Sequence, residues 1–459
     1  MSTASPPAPF WRDASLVVLF GLVLLLPGSF SLPLIDRDEP KFSQATWEMM
    51  ERGSWTVPTF NGDYRFDKPP LTYWWMSAHM ILLGKTELAA RLHAILSSVL
   101  VALALYEFGR ALFSRWAGLC AAGGWLTCLQ VALHGRLAVA DMPMVLAVVV
   151  VARCLYALLL VPGLAKPWRW QLLLYVALAL GFLAKGPIAW LVPLLGLVLM
   201  RLLLWKSKPV IFWNRLGWWW GLPLSLGLIA IWGVPALLET QGKFAESGLG
   251  EHVIERGVRS FNDRLFIPIY YPLTAFLSLY PWSPLVFAGF ALMRRNWDAK
   301  QAFLLGWFIA PFIIFFFYAT QLPHYVMPGF PAFFLLLFQT GQAPPFVKRW
   351  HRIGFWAVHG VVLSVAAALL SLLPFFATVE QGVLGRAVAS LVFAMGLLGV
   401  MSVLVVFRQW KPALVASALY AMVWISVGFH LRAIHPVPKL AERVAALPPQ
   451  TEMVGMGYS

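Results

Sequence analysis

The sequence is poor in charge and poorer still in cysteine. Only 12% of its 459 residues are Asp, Glu, Lys or Arg, about half the roughly 25% usual in soluble domains, and acids are the scarcer sign, 20 against 35 bases. So little polar surface excludes a soluble globular protein. The three cysteines, Cys120, Cys128 and Cys154, each lie inside an apolar run, which excludes a disulfide framework and a cysteine-based metal centre. They read as small buried hydrophobes. No repeat of 20 to 50 residues and no low-complexity tract is present. The net charge of +15 comes with no RNA or DNA motif and no soluble basic face, so no nucleic-acid partner is expected.

What is there is apolar: 60% of residues, with 33 Phe, 23 Trp, 35 Gly and 33 Pro. A spanning helix needs about 20 mostly apolar residues. Thirteen such runs lie near 14–34, 88–110, 116–133, 142–162, 171–184, 187–205, 217–238, 271–293, 302–319, 326–341, 354–377, 387–407 and 412–429. The pair flanking Lys185-Gly186-Pro187 reads as two spans or as one broken helix. The fold class is therefore an all-α polytopic membrane protein of about 13 transmembrane helices. The first run, followed at once by Asp36-Arg37-Asp38-Glu39, is expected to stay as an anchor rather than be cleaved as a signal.

Charge tests this threading. With the N-terminus inside, the links on that face hold 17 bases and three acids, whereas the other face holds 17 of each. A basic excess on short loops marks the cytoplasmic side, so the expected topology is N-terminus in, C-terminus out. The outer face then carries two long segments, 35–87 and 239–270, and the chain divides into a transmembrane domain, 1–429, and a short outer tail, 430–459. In segment 35–87, Pro40 opens a run with Phe42, Ala45 and Met49 at helical spacing, closed by Gly53. A second helix runs from Pro70 through Tyr73, Trp74 and Trp75 to Gly84, and Asn61-Gly62-Asp63 between them has turn chemistry. Both helices are expected to lie in the membrane surface.

The polar residues left to explain gather on that outer face. Asp38 and Glu39 ahead of Pro40 suit a helix N-terminus, and equally the mouth of a water-filled cavity. Arg65, Asp67 and Lys68 begin the second surface helix, where cations anchor headgroups or hold a phosphate. Asp141 enters or caps the fourth span, Lys185 stands in the next outer turn, and His324 and Tyr325 in a later one. Together with His252, these residues would line a cavity of carboxylates and cations suited to an anionic headgroup whose apolar part stays in lipid. That describes a polyprenyl-phosphate sugar.

The same residues carry a resemblance. Leu34 to Pro40, Trp47-Glu48-Met49-Met50, Gly53-Ser54-Trp55, Val57-Pro58, Asn61-Gly62, Phe66-Asp67-Lys68-Pro69-Pro70 and Tyr73-Trp74 resemble the first outer loop of bacterial aminoarabinose transferases, which share the C-type membrane glycosyltransferase fold with the protein O-mannosyltransferases. Arg136 through Asp141-Met142-Pro143, Lys185-Gly186-Pro187, Glu251-His252-Val253, Tyr270-Tyr271, Pro281-Trp282 and Leu322-Pro323-His324-Tyr325 follow in similar order and spacing.

The resemblance implies an inner-membrane enzyme that moves a sugar from a polyprenyl-phosphate donor to an outward-facing acceptor, lipid A first among them, with another glycan or a protein as alternatives and membrane lipids around it. It implies Asp38 as base or acceptor-orienting group, Glu39 in support, and Asp141 as a second acid near the reaction centre. Lys68, then Lys185 and Arg65, would hold the donor phosphate, and one displacement would invert the anomeric centre. No cofactor is implied as required. A divalent-cation site from Asp67 and His252 would lack the second histidine of some relatives, since Asn262-Asp263-Arg264 stands there. Relatives often carry a soluble outer domain at the C-terminus, whereas this sequence stops at Ser459, so acceptor choice is expected to differ or the sequence to be part of a longer one. A transporter or flippase is the competing class, but it would show two-fold repeats and midplane polar residues, not acids gathered on one face.

Overall fold

The computed structural model describes residues 10–35, 38–207, 209–248, 267–376, 381–434 and 446. Its helices in chain order are α1 (Phe10–Leu25), α2 (Asp38–Arg52), α3 (Leu71–Leu83), α4 (Glu87–Leu112), α5 (Arg115–Leu126), α6 (Leu129–His134), α7 (Asp141–Leu160), α8 (Pro167–Lys185), α9 (Ile188–Leu203) and α10 (Trp218–Glu239). After them come α11 (Tyr270–Ser278), α12 (Val286–Arg295), α13 (Ala299–Phe316), α14 (Phe330–Leu337), α15 (Arg349–Phe376), α16 (Gln381–Val406) and α17 (Trp410–Ile434). The sole sheet among the described residues is a hairpin of β1 (Thr59–Phe60) and β2 (Asp63–Tyr64).

Local chemistry explains the boundaries. Thr86 and Ser114 accept the amides of Ala89 and Ala117 and so start α4 and α5, and Asp298 does the same for α13. Gly84 and Gly186, both at positive φ, end α3 and α8. Between α4 and α5, Gly109 and Gly118 face one another so closely that a Cβ on Gly118 would lie 2.2 Å from the Tyr106 carbonyl. The two helices pack backbone to backbone, as small residues allow within a bilayer. Behind this contact Tyr106, Phe108, Trp125, Trp307, Phe334 and Phe338 fill the core.

Seven helices among the described residues are long and apolar enough to cross a membrane, and an eighth span arises if α11 and the segment Ser283–Arg295, bent by 112° at their junction, count as one. The thirteen continuous spans expected from the sequence are not all found in that form. The run 116–133 is broken into α5 and α6 at Thr127 and Cys128, and the run 326–341 is a 3-10 turn, Pro323–Gly329, leading into the short α14. In the second of these, Pro323, Pro328 and Gly329 cost intrahelical hydrogen bonds that neighbouring elements replace. At Lys185-Gly186-Pro187 the structure has two helices, α8 and α9.

The outer segment follows the expected pattern: α2 ends at Gly53, α3 runs from Pro70 to Gly84, and the hairpin turns at Asn61 and Gly62, both at positive φ. α2 packs on α3, and α3 on α4 and α8, so this segment sits against the bundle and delivers its polar residues to it.

Candidate functional site

Three elements converge on a cavity of about 340 Å³. The loop before α3 supplies Asp67 and Lys68, the start of α7 supplies Asp141, and the end of α8 supplies Lys185; His324 and Tyr325 close it from the turn before α14. Lys185 Nζ donates to Asp141 Oδ1 at 2.5 Å, and His324 Nε2 lies 3.9 Å from the same oxygen. The His324 ring packs on His134 with centroids 4.6 Å apart and edge-on against Tyr325 at 5.1 Å. Lys185 Nζ lies 5.7 Å from the centre of the Tyr325 ring.

In the same cavity, Asp67 joins two cations. Arg65 Nη2 donates to one carboxylate oxygen and Lys68 Nζ to the other, each at 2.8 Å. Arg65 Nε donates to the Tyr73 hydroxyl at 3.0 Å, and Tyr73 stacks on Phe42 of α2. Burial works against the Arg65 charge, but Tyr73, Asp67 and Asp38 hold its pKa above the ordinary guanidinium value. Burial pushes the Tyr73 phenol well up, so it stays a neutral hydrogen-bonding group. Asp38, exposed on the first turn of α2, acts electrostatically on both Arg65 and Tyr73.

The remaining wall is apolar. Phe66, Trp232 and Phe244 form an aromatic edge, with Phe244 against Trp232 at 5.1 Å and against Phe66 at 5.7 Å. Leu191 of α9 and Leu237 of α10 also line the cavity, yet they are 45% and 40% exposed. α10 packs chiefly on α8, and among the described residues the side between α9 and α10 is left open to an apolar surround.

The structure thus brings together Asp67, Lys68, Asp141, Lys185, His324 and Tyr325. Arg65 stands behind them, bound to Asp67 and Tyr73, and Asp38 reaches the group through Arg65. Glu39 departs from the expectation. Its side chain is fully buried and receives Arg91 Nε and Nη2, both at 2.8 Å, with the amides of Ile35 and Ala138, also at 2.8 Å. Every lone pair is engaged, so Glu39 is a clamp between α2, α4 and the loop ahead of α7, and no part of it faces the cavity. His252 lies outside the described residues. Among the described residues no group of three or more His, Cys, Asp or Glu is placed to hold a metal ion.

Arg91 and His134 were not foreseen as parts of this region. Arg91 had a signal, an arginine near the start of the apolar run 88–110, which requires a partner or water. His134 had none beyond its place in an outer turn.

Residues 67–232 match the dolichyl-phosphate-mannose-protein mannosyltransferase family. A crystal structure of ArnT from Cupriavidus metallidurans bound to undecaprenyl phosphate superposes with a TM-score of 0.77 at 19% identity, over 96% of this chain and 81% of that one. The fold is that of the C-type membrane glycosyltransferases.

The sequence is similar to the undecaprenyl phosphate-α-4-amino-4-deoxy-L-arabinose arabinosyl transferase of Pectobacterium atrosepticum, 28% identical over 79% of this chain. The corresponding transferase 2 of Sodalis glossinidius is 29% identical over 70% of it. The chain spans 65% and 58% of the length of these two relatives. The resemblance read from the first outer loop therefore extends through most of the chain, which is a multi-pass membrane protein like them.

Proposed function

We propose that the protein transfers a sugar, 4-amino-4-deoxy-L-arabinose or a close analogue, from an undecaprenyl-phosphate carrier to lipid A or another acceptor on the outer side of the inner membrane. The observation that carries this reading is the composition of one cavity: Lys68 and Lys185 with Asp67, Asp141 and His324 on one side, and an apolar wall open to lipid on the other. A polyprenyl phosphate has the matching two-part chemistry.

In this reading the carrier chain enters between α9 and α10, and its phosphate displaces the carboxylates as partner of Lys68 and Lys185. Arg65 holds Asp67 and keeps the loop in place. The acceptor hydroxyl attacks the anomeric carbon from the face opposite the phosphate. The bond between that carbon and the carrier oxygen breaks, its electron pair stays on the phosphate, and the two lysines stabilise the charge that develops there. The acceptor proton passes to a carboxylate, Asp38 serving as base and Asp141 orienting Lys185. One displacement inverts the anomeric centre. In this reading no cofactor is required, and the basic face of the bundle is cytoplasmic.

Mass spectrometry of lipid A and of carrier-linked sugars from cells with the protein, without it, and with Asp38→Asn tests this. Loss of a lipid A sugar together with accumulation of its carrier-linked donor is expected in the last two. Unchanged lipid A with a changed glycan or protein would move the acceptor, and unchanged donor pools would overturn the transferase reading.

A further inference from the structure

A second cavity, of about 480 Å³, lies away from the candidate site and shares no lining residue with it. It is a groove on the outside of the bundle between α1, α5, α16 and α17, with Val23, Trp116, Gly123, Met401 and Leu414 among its walls. Its two hydroxyls are satisfied within their own helices, Thr127 by the Gly123 carbonyl at 2.7 Å and Ser417 by the Ala413 carbonyl at 2.9 Å. The walls are thus chemically hydrocarbon. Gly123 leaves the floor open, since a Cβ built there meets no atom within 4 Å.

One end of the groove is different. α5 and α17 both begin there, at Arg115 and Trp410, and the first turn of α1 brings Arg12. Arg408 and Lys411 flank Trp410. The single carboxylate in this group, Asp13, is buried under Arg115 at 2.5 Å and the Tyr106 hydroxyl at 2.9 Å. Arg408 donates to the Gln342 side chain, and neither Arg408 nor Lys411 has an acidic partner among the described residues. The dipole of α17, whose positive end lies here, adds to the potential. Trp116 and Trp410, 55% and 43% exposed, stand at the level where an apolar chain meets a headgroup.

We propose that this groove binds an anionic phospholipid from the leaflet on the basic side, cytoplasmic in the topology above, with one acyl chain over Gly123 and the phosphate at Arg408, Lys411 and the start of α17. Charge complementarity selects this occupant. A zwitterionic lipid would fill the walls equally but would carry less net charge to the basic end.

The test is native mass spectrometry of the full chain released from bilayer nanodiscs of equal phosphatidylglycerol and phosphatidylethanolamine. The wild type is expected to retain one phosphatidylglycerol in preference to phosphatidylethanolamine. Arg408→Gln with Lys411→Gln removes two surface charges and should weaken retention about thirtyfold. Gly123→Leu fills the floor and should abolish it for both lipids. The melting temperature of each variant in detergent reports folding, and the charge variant, altered only at exposed residues, stands as a test if the glycine variant fails to fold. Equal retention of the two lipids by the wild type, or wild-type retention by the charge variant, overturns the proposal. Neither readout depends on transferase activity.

Discussion

At the scale of single residues, two neighbouring acids have opposite surroundings and should behave oppositely. Glu39 is fully buried against Arg91, and neutralising it leaves an uncompensated buried guanidinium, a change that costs about 3–5 kcal/mol in comparable pairs. Glu39→Gln should therefore lower the melting temperature in detergent, with activity lost in step with folded protein. Asp38 is exposed, so Asp38→Asn should melt like the wild type while turnover falls about 10²-fold or more. A stable Glu39→Gln protein that is inactive would instead put Glu39 in the chemistry. Lys185→Met removes a cation from the phosphate side and should cost turnover about 10²-fold. Asp141→Asn in that background should add little, because the carboxylate acts through Lys185. The sequence showed these residues as charges beside Pro and Gly on one face, but it could not separate Asp38 from Glu39. What separates them is Arg91, 52 positions further along.

At the scale of elements, the turn chemistry was legible and the spans less so. Gly53, Asn61-Gly62, Pro70 and Gly84 sit where the structure turns, because positive φ and a fixed proline φ are local properties of those residues. The break at Thr127 was not legible. It depends on neighbours such as Trp282, whose indole donates to Thr127 at 3.0 Å, and those are set by packing rather than by hydropathy. The hairpin gives a prediction of its own. Glu48 of α2 receives the amides of Asn61 at 2.8 Å and Gly62 at 3.2 Å. Burial opposes its charge, but Gln44 and these amides outweigh that and hold its carboxyl below the ordinary 4.5. A depressed carboxyl stabilises the fold above the unfolded value and loses that contribution as pH falls through the folded one. Hydrogen exchange across residues 55–66, corrected for the intrinsic rate, should thus lose protection as pH falls below about 4.5. Glu48→Gln should show the low-pH protection throughout, and a pH-independent profile in the wild type would remove Glu48 as the anchor.

At the scale of the whole molecule, the charge asymmetry makes the orientation testable. Single cysteines placed at the exposed Asp63 and Lys206, on a background lacking Cys120, Cys128 and Cys154, should react with an impermeant thiol reagent in opposite circumstances. Asp63→Cys should label in intact spheroplasts and Lys206→Cys after permeabilisation; the reverse would invert the topology. The fold class was legible because membrane helices must satisfy their own backbone, so long apolar runs have few alternatives. That Lys68, Asp141, Lys185 and His324 share a face was legible, since alternate links return to the same side, but which charges of that face share a cavity was not: Glu39 is turned to Arg91. The gap between α9 and α10 was not legible, for nothing in Leu191 or Leu237 marks a side chain that lines a cavity rather than a lipid-facing ridge.

That gap fixes how the proposed donor is counted. A substrate that arrives sideways through the bilayer is present at a two-dimensional density, so its mole fraction among lipids, rather than its bulk molarity, sets occupancy. Adding empty detergent micelles or lipid at constant donor and enzyme should then slow turnover by surface dilution, and restoring the donor-to-lipid ratio should recover it. A rate that follows total donor per litre would mean that the carrier reaches Lys68 and Lys185 from water.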